Sequence, residues 1–391
     1  REFGKDAQIL WLPDVFGYSA ALPQILKKCG VHYFMTTKIS WNEVNKIPYD
    51  TFYWKGIDGT KVLSHFIPTR DYVSKTRSLK TNNEHTSAIT TNYNGYLNPC
   101  QIKGAWQRYQ QKELNDQVLC SFGYGDGGGG PTAEMLETQR RLAYGIPGCP
   151  TTKPATAREF FDKLAEDVAE KNVPIWSGEL YLEYHRGTYT SMARNKKYNR
   201  KAELAYQDEE TYAAMDEVLT GNTYPKDALY EGWEVILRNQ FHDILPGSSI
   251  KEVYEDSKEE YEKIFAENKE LKTASLGSLV RNVDAPLHAV VVFNPNSSEV
   301  PGIVSFICPE EIKNPVLKDN GNTVAIQKAG DTYIFTAAGV PSKGYKTYVL
   351  EDGEENEEEI SMDVSVKHME NDWFAVDYNE KGQFAKIYDK S

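Results

Sequence analysis

The chain has 391 residues, 40% hydrophobic and 26% charged, with a formal net charge of -13. That length allows two or three domains with separate cores, the acidic balance argues against the basic footprint of non-specific nucleic-acid binding, and no apolar run approaches a membrane span. Five cysteines (Cys29, Cys100, Cys120, Cys149 and Cys308) are scattered and include no C-x-x-C pair, which reads as reduced thiols and a cytoplasmic setting rather than a disulfide framework.

In chain order, Ala7 to Leu12 reads as a buried strand that breaks at Pro13-Asp14. Ser19 is placed to cap a helix running to Cys29, with Gly30 as its stop. Further strands are expected at Val31–Thr36, Lys61–Ile67 and Val118–Phe122, and helices at Pro131–Tyr144 and Ala157–Lys171. Strands alternating with helices imply parallel pairing, in an open sheet or a closed barrel, with function at the C-terminal ends of the strands. Asp14 and Asp126 both sit at such ends. From Thr190 the pattern is helical, with segments to Leu219, from Lys226 to about Asp243, and from a Ser249–Glu252 capping box to about Val283. Short links between them suggest an antiparallel three-helix bundle. After Pro286 short strands take over, interrupted by an acidic run at Glu351–Glu359 that reads as a solvated loop. The fold class is therefore multidomain, α/β then α then β.

Three stretches could carry chemistry. Trp11-Leu12-Pro13-Asp14 ends a strand on a carboxylate, which reads either as a turn aspartate or as a nucleophile or metal ligand. Gln240-Phe241-His242-Asp243 puts an imidazole beside a carboxylate, a metal-ligand pair or a helix-end histidine with an exposed neighbour. Gly123-Tyr124-Gly125-Asp126-Gly127-Gly128-Gly129-Gly130 holds six glycines and one acid. It matches G-x-G-x-x-G, but no acid for a ribose follows about twenty residues on, and Asp126 would repel a pyrophosphate. A nucleotide-binding enzyme is thereby disfavoured. The aromatic and polar segment Trp176–Thr190 suits a ligand cleft or a domain interface equally, and His32, His65, His85, His288 and His368 read as structural or surface residues.

Together, W-L-P-D-V-F-G-Y-S at Trp11–Ser19, P-Q-I-L at Pro23–Leu26, F-Y-W-K-G-I-D-G at Phe52–Gly59 and G-D-G-G-G-G-P-T at Gly125–Thr132 resemble one family. G-E-L-Y-L-E-Y-H-R-G-T-Y-T at Gly178–Thr190, Q-F-H-D-I-L-P-G-S-S at Gln240–Ser249 and V-F-N-P at Val292–Pro295 extend the likeness over nearly the whole chain. The family is the α-mannosidases of glycoside hydrolase family 38, of the bacterial or cytosolic type. The resemblance implies part of a seven-stranded (β/α) barrel over residues 1–176, a three-helix middle domain over 177–284, and the start of a β-sandwich region over 285–391. It implies a retaining, zinc-dependent glycosidase acting on an α-mannoside or mannose-containing oligosaccharide through a covalent mannosyl-enzyme. Asp14 is then similar to the nucleophile and a zinc ligand, His242 to a zinc ligand, Asp243 to the residue that holds sugar hydroxyls, and Asp126 to the general acid/base. Relatives often pair, so a homodimer is an expected state; a nucleic-acid or membrane partner is not.

One feature departs from the family. Its first two zinc ligands come from an H-x-D motif, and no H-x-D occurs in these 391 residues. The remaining ligands of the single Zn2+ are therefore expected upstream of residue 1, and this segment by itself is expected to be metal-poor and inactive. The competing reading is a non-catalytic carbohydrate-binding relative that kept the fold.

Overall fold

The computed structural model describes residues 3–72, 90–126, 128–353 and 362–391. His85, Gly127 of the glycine loop and most of the acidic run lie outside the described residues. The chain divides into two compact units, one of residues 1–199 and 237–259, the other of residues 200–236 and 260–391.

The first unit is built on β1 (Ile9–Trp11), β2 (Gly17–Tyr18), α1 (Leu22–Lys28), β3 (Tyr33–Thr36), β4 (Thr51–Lys55) and β5 (Lys61–Phe66). It continues with α2 (Pro99–Arg108), α3 (Ala133–Ala143), α4 (Ala157–Val168), β6 (Ile175–Ser177) and β7 (Leu180–Tyr181). Five strands form one sheet in the order β1-β3-β5-β4-β6. β1 with β3, β3 with β5, and β4 with β6 run parallel, whereas β4 and β5 are antiparallel. Among the described residues the sheet is open and closes no barrel. The antiparallel pair follows from the short Gly56–Thr60 connection, where Gly59 takes φ +88° and the Gly56 amide donates to the Thr60 carbonyl at 2.8 Å. A link that short makes a hairpin, whereas parallel strands need a crossover.

Alternation along the strands feeds a core on each face. Phe34, Phe52, Trp54, Val62 and Phe66 point to one, with Tyr18, Leu26 and Leu180. Met35 and Leu63 point to the other, against Phe160, Phe161, Leu164 and Val168 of α4. Those four apolar positions of α4, each worth about 2 kcal/mol when buried, pin the helix. Its start is set by a capping box in which Thr156 Oγ1 accepts from the Glu159 amide and Glu159 accepts from the Thr156 amide.

Two local expectations change. Val118–Phe122 is not a regular strand: Phe122 makes one parallel bridge, to Gly95, because its neighbours are side-chain tethers and not a full ladder. Ser19 does not cap α1; that place belongs to Ala21, whose amide donates to Ser19 Oγ at 3.2 Å. The connecting helix α2 was not anticipated; Asn98 caps it by accepting from the Gln101 amide.

Helices α5 (Ala193–Thr220), α6 (Lys226–Asn239) and α7 (Lys251–Val280) follow. In the second unit their residues interlock. Trp233 Nε1 donates to Glu210 at 2.9 Å, Asn268 Nδ2 to the Ala205 carbonyl at 3.2 Å, and Ser275 Oγ to Glu209 at 2.8 Å. Gly232 admits the Tyr206 ring, which a Cβ there would meet at 2.1 Å. The same unit carries β8 (Ala289–Asn294), β9 (Gly302–Phe306), β10 (Pro315–Asp319), β11 (Asn322–Val324), β12 (Gln327–Ala329), β13 (Thr332–Ala337) and β14 (Gly344–Asp352). They form two antiparallel sheets, β11-β10-β14-β8 and β12-β13-β9, sharing a core of Leu317, Phe335, Tyr348 and Leu350. β15 (Asp363–Val364), β16 (His368–Glu370), β17 (Phe374–Tyr378) and β18 (Phe384–Asp389) make a further antiparallel sheet.

Candidate active site

The site grows from the parallel pairing of β1 with β3. Past the last paired residues, the Leu12 amide still donates to Met35 O at 3.1 Å, and the Pro13 carbonyl accepts from the amides of Thr37 and Lys38 at 3.2 and 3.0 Å. These bonds hold the Pro13-Asp14 break against the short 3-10 turn Lys38–Trp41. Beneath them the buried Tyr18 hydroxyl donates to the Leu12 carbonyl at 2.6 Å and lies 2.9 Å from Thr36 Oγ1; burial pushes its phenol well above the usual range.

Asp14 and Lys38 therefore face each other, with Lys38 Nζ 2.5 Å from Asp14 Oδ1 and both side chains largely buried, at 17% and 11% exposure. The ammonium also sits 4.0 Å from the Trp41 ring centroid and 5.5 Å from that of Phe16, so its charge is shared between a carboxylate and two ring faces. The other oxygen, Asp14 Oδ2, accepts from the Tyr93 hydroxyl at 3.1 Å.

Tyr93 reaches Asp126 as well. Its hydroxyl lies 2.5 Å from Asp126 Oδ1, while Asn94 Nδ2 donates to Asp126 Oδ2 at 3.2 Å. Two such contacts with one hydroxyl oxygen leave the carboxylate oxygens no more than roughly 6 Å apart, close to the spacing of retaining rather than inverting glycosidases. Burial, and then the bond to Asp126, push the Tyr93 phenol well up, so it stays a protonated donor. Asp126 itself is exposed and takes φ +52°, a left-handed conformation that acidic residues tolerate better than most. Gly125 is what lets the loop come close: a Cβ there would meet Asn94 Cβ at 3.1 Å and the Tyr93 ring at 3.4 Å.

A cavity of about 390 Å³ opens beside Asp14, lined by Phe16, Lys38, His185, Thr188, Asp243 and Ser248 among others. Asp243 enters it from the turn after α6. There Ser248 Oγ donates to its Oδ1 at 2.8 Å, and the Ser249 and Tyr254 hydroxyls donate to its carbonyl at 2.7 and 3.3 Å. Gly247, at φ +90°, packs against Ser191, which a Cβ would meet at 2.7 Å. His185 stands edge-on to Phe16 at 4.8 Å with φ +60°; burial, and then the Lys38 charge, lower its pKa. The imidazole therefore stays neutral more readily than an exposed one. On the neighbouring strap, Glu183 accepts from the amides of Glu43, Val44 and Asn45.

The structure thus brings Asp14 and Asp243 to one cavity and links Asp126 to Asp14 through Tyr93. His242 lies beside Asp243, its Nε2 3.8 Å from Asp243 Oδ2 and its ring 4.3 Å from that of Phe241; it does not line the cavity. Lys38, Tyr93, Asn94 and His185 were not singled out from sequence. Lys38 follows a strand end, the same cue as Asp14. Tyr93 lies in a featureless T-T-N-Y-N-G stretch with no cue. His185 belongs to the Trp176–Thr190 segment, where its residues line a cleft.

Asp14 Oδ1 is buried without a well-directed hydrogen bond, which suits a ligand oxygen. Among the described residues, however, no three His, Cys, Asp or Glu side chains gather as a metal site, and a catalytic zinc takes at least three protein ligands. These residues alone do not make a zinc site.

Comparison with known proteins places the chain in a family. Residues 1–179 match the glycosyl hydrolases family 38 N-terminal domain, and residues 183–279 the alpha mannosidase middle domain. The chain belongs to glycosyl hydrolase family 38. It is 34% identical over 349 residues to human alpha-mannosidase 2C1, covering 88% of this chain and 29% of that protein. It is 38% identical over 262 residues to an alpha-mannosidase of Saccharomyces cerevisiae, covering 65% and 22%. The fold is similar to a solved alpha-mannosidase from Enterococcus faecalis V583, with a TM-score of 0.70 and 18% identity over 100% of this chain and 48% of that one. The chain spans less than a third of the length of the curated relatives it matches. Among the described residues no helix is long and apolar enough to cross a membrane.

Proposed function

We propose that the protein to which this family 38 chain belongs is a retaining α-mannosidase that removes terminal α-linked mannose through a covalent mannosyl-enzyme. One observation carries the retaining part of the reading: two carboxylates, Asp14 and Asp126, converge on the Tyr93 hydroxyl at a separation that leaves no room for an inverting enzyme's water between acid and base. Asp14 is the nucleophile. Lys38 on one oxygen and Tyr93 on the other fix the plane of its carboxylate for attack on the anomeric carbon. Asp126, exposed at the loop tip, protonates the leaving oxygen and then takes a proton from the incoming water. Asp243 and Ser248, joined by a hydrogen bond, offer acceptor and donor to sugar hydroxyls in the cavity, while Phe16 supplies an apolar wall.

Zinc belongs to the proposal only for the whole protein. Asp14 and His242 would be two of its ligands and the others would come from outside these 391 residues; when bound, the metal would polarise sugar hydroxyls. In the whole protein the open sheet would be completed as the family's seven-stranded barrel, and the three helices would form its bundle. The test is turnover of linked mannobioses and aryl α-mannosides by the full-length protein. Retained anomeric configuration by NMR and loss of activity with chelator are expected. Inverted product would overturn the mechanism. Tight mannose binding without turnover would favour the carbohydrate-binding alternative.

A further inference from the structure

We propose that Tyr93 is a positioning residue that couples the two catalytic carboxylates, its single hydroxyl hydrogen serving Asp14 before the glycosidic bond breaks and Asp126 afterwards. This inference rests on the mannosidase reading above. A phenol has one hydrogen to donate, yet Tyr93 Oη touches two carboxylates, at 3.1 Å to Asp14 and 2.5 Å to Asp126. Both contacts are hydrogen bonds at once only when one of the two acids carries a proton and donates it to the phenol oxygen; with the Lys38 ammonium against Asp14, the proposal puts that proton on Asp126 and leaves the phenol O–H for Asp14. That is the arrangement retaining hydrolysis needs before its first step, an acid on one side and an anion on the other.

The sequence of events balances. An Asp14 oxygen bonds to the anomeric carbon while the bond to the leaving oxygen breaks with its electron pair, and the Asp126 proton goes to that oxygen. Asp14 is now an ester and a poor acceptor; Asp126 is an anion. The Tyr93 O–H rotates from one to the other without leaving its own oxygen, and so holds Asp126 ready to take a proton from water. When the water oxygen bonds to the anomeric carbon, the ester bond breaks, Asp14 becomes an anion again and the starting arrangement returns.

The backbone shows why this side chain can do so. Residues 91–95 are tied on both sides. Trp41 Nε1 donates to the Thr91 carbonyl at 2.9 Å on the side of Lys38. On the other side the Gly95 amide donates to Ser121 O at 3.1 Å, and the Gly123 amide to Gly95 O at 3.0 Å, just before the glycine loop. Asn94 is held in the same turn, its amide donating to Asn92 Oδ1 at 3.0 Å, and adds a second bond to Asp126. Tyr93 therefore stands on a fixed strut between the wall that carries Asp14 and the loop that carries Asp126.

The experiment compares wild-type full-length, metal-loaded enzyme with Tyr93→Phe, Asp126→Asn and the double variant, on a mannobiose and on 2,4-dinitrophenyl α-mannoside, whose leaving group needs no acid. Tyr93→Phe is expected to lower kcat/KM about 10- to 100-fold on the mannobiose and by a smaller factor, about tenfold or less, on the activated substrate, which loses only the bond to Asp14. In the double variant it is expected to add to Asp126→Asn, on the mannobiose, no more than its own loss on the activated substrate. Equal loss on both substrates, no loss on either, multiplicative effects in the double variant, or failure of Tyr93→Phe to fold would each overturn the coupling role. A folded wild-type protein inert on every α-mannoside would instead remove the mannosidase reading, and this proposal with it.

Discussion

At the scale of single residues, the site depends on what stands against each carboxylate. Replacing Asp14 by Ala removes the proposed nucleophile and leaves Lys38 against two rings. Turnover is expected to fall by at least about a thousandfold, with no covalent intermediate trapped by a 2-deoxy-2-fluoro mannoside in mass spectra. Gly125 offers a subtler test. A methyl group there would press on Asn94 Cβ at 3.1 Å, so Gly125→Ala is expected to displace Asp126 and to lower kcat on unactivated mannosides by about tenfold or more. Little change in the melting temperature is expected, because the loop is exposed. Asp14, Asp126 and Asp243 were legible in the sequence because each sits in a distinctive short motif. Tyr93 was not. Its motif is bland, and its role comes from its spatial neighbours, 79 residues away at Asp14 and 33 at Asp126.

At the scale of elements, one strap near the site is held by an anion in a backbone nest. Glu183 accepts amides from residues 43–45, and these bonds, led by that of Asn45, hold its carboxyl down at about 2 against an ordinary value of 4.5. The sign follows: the folded strap favours the ionised form, so its contribution is complete above pH 4.5 and is lost as pH falls toward 2. Hydrogen exchange of the 43–45 amides is expected to accelerate over that window, and in Glu183→Gln to be fast throughout. The parallel β1–β3 pairing was legible from the alternation of strand and helix. The antiparallel β4 was not, since F-Y-W-K fits a strand of either direction and only its pairing with β5 decides.

For the whole molecule, two buried polar groups couple stability to conditions. His65 is fully buried; its Nε2 accepts from the Leu119 amide at 3.4 Å, so Nδ1 carries the hydrogen toward Thr51 Oγ1 at 3.0 Å. Burial, with the Arg108 charge, drops its pKa to about 3. Unfolding frees it to titrate near 6.5, so its contribution is complete above pH 6.5 and declines as pH falls toward 3, by up to about 1.4 kcal/mol per pH unit. Urea unfolding of wild type against His65→Gln between pH 4 and 7 is expected to show that slope only in the former. Asp50, buried against Arg108, has its pKa raised by desolvation in spite of that partner. Arg108→Met strands the acid and is expected to cost about 3–5 kcal/mol in the same assay. The proposed zinc belongs to this scale too: residues 1–391 alone are expected to hold well under one equivalent after dialysis, read by plasma mass spectrometry.

What the sequence determined by itself was therefore local and ordered: three successive patterns of period, the breaks between them, and short motifs whose residue types suit acid, base and ligand chemistry. These follow from side-chain periodicity and backbone preference, which act over a few residues. The tertiary structure alone decided which carboxylates share a hydroxyl and which cation opposes Asp14. Those outcomes depend on the register of β1 against β3 and on the strut at residues 91–95, contacts between residues far apart in the chain. The glycine loop shows the division: its composition marked a close backbone approach, and the fold made Tyr93 and Asn94 what it approaches.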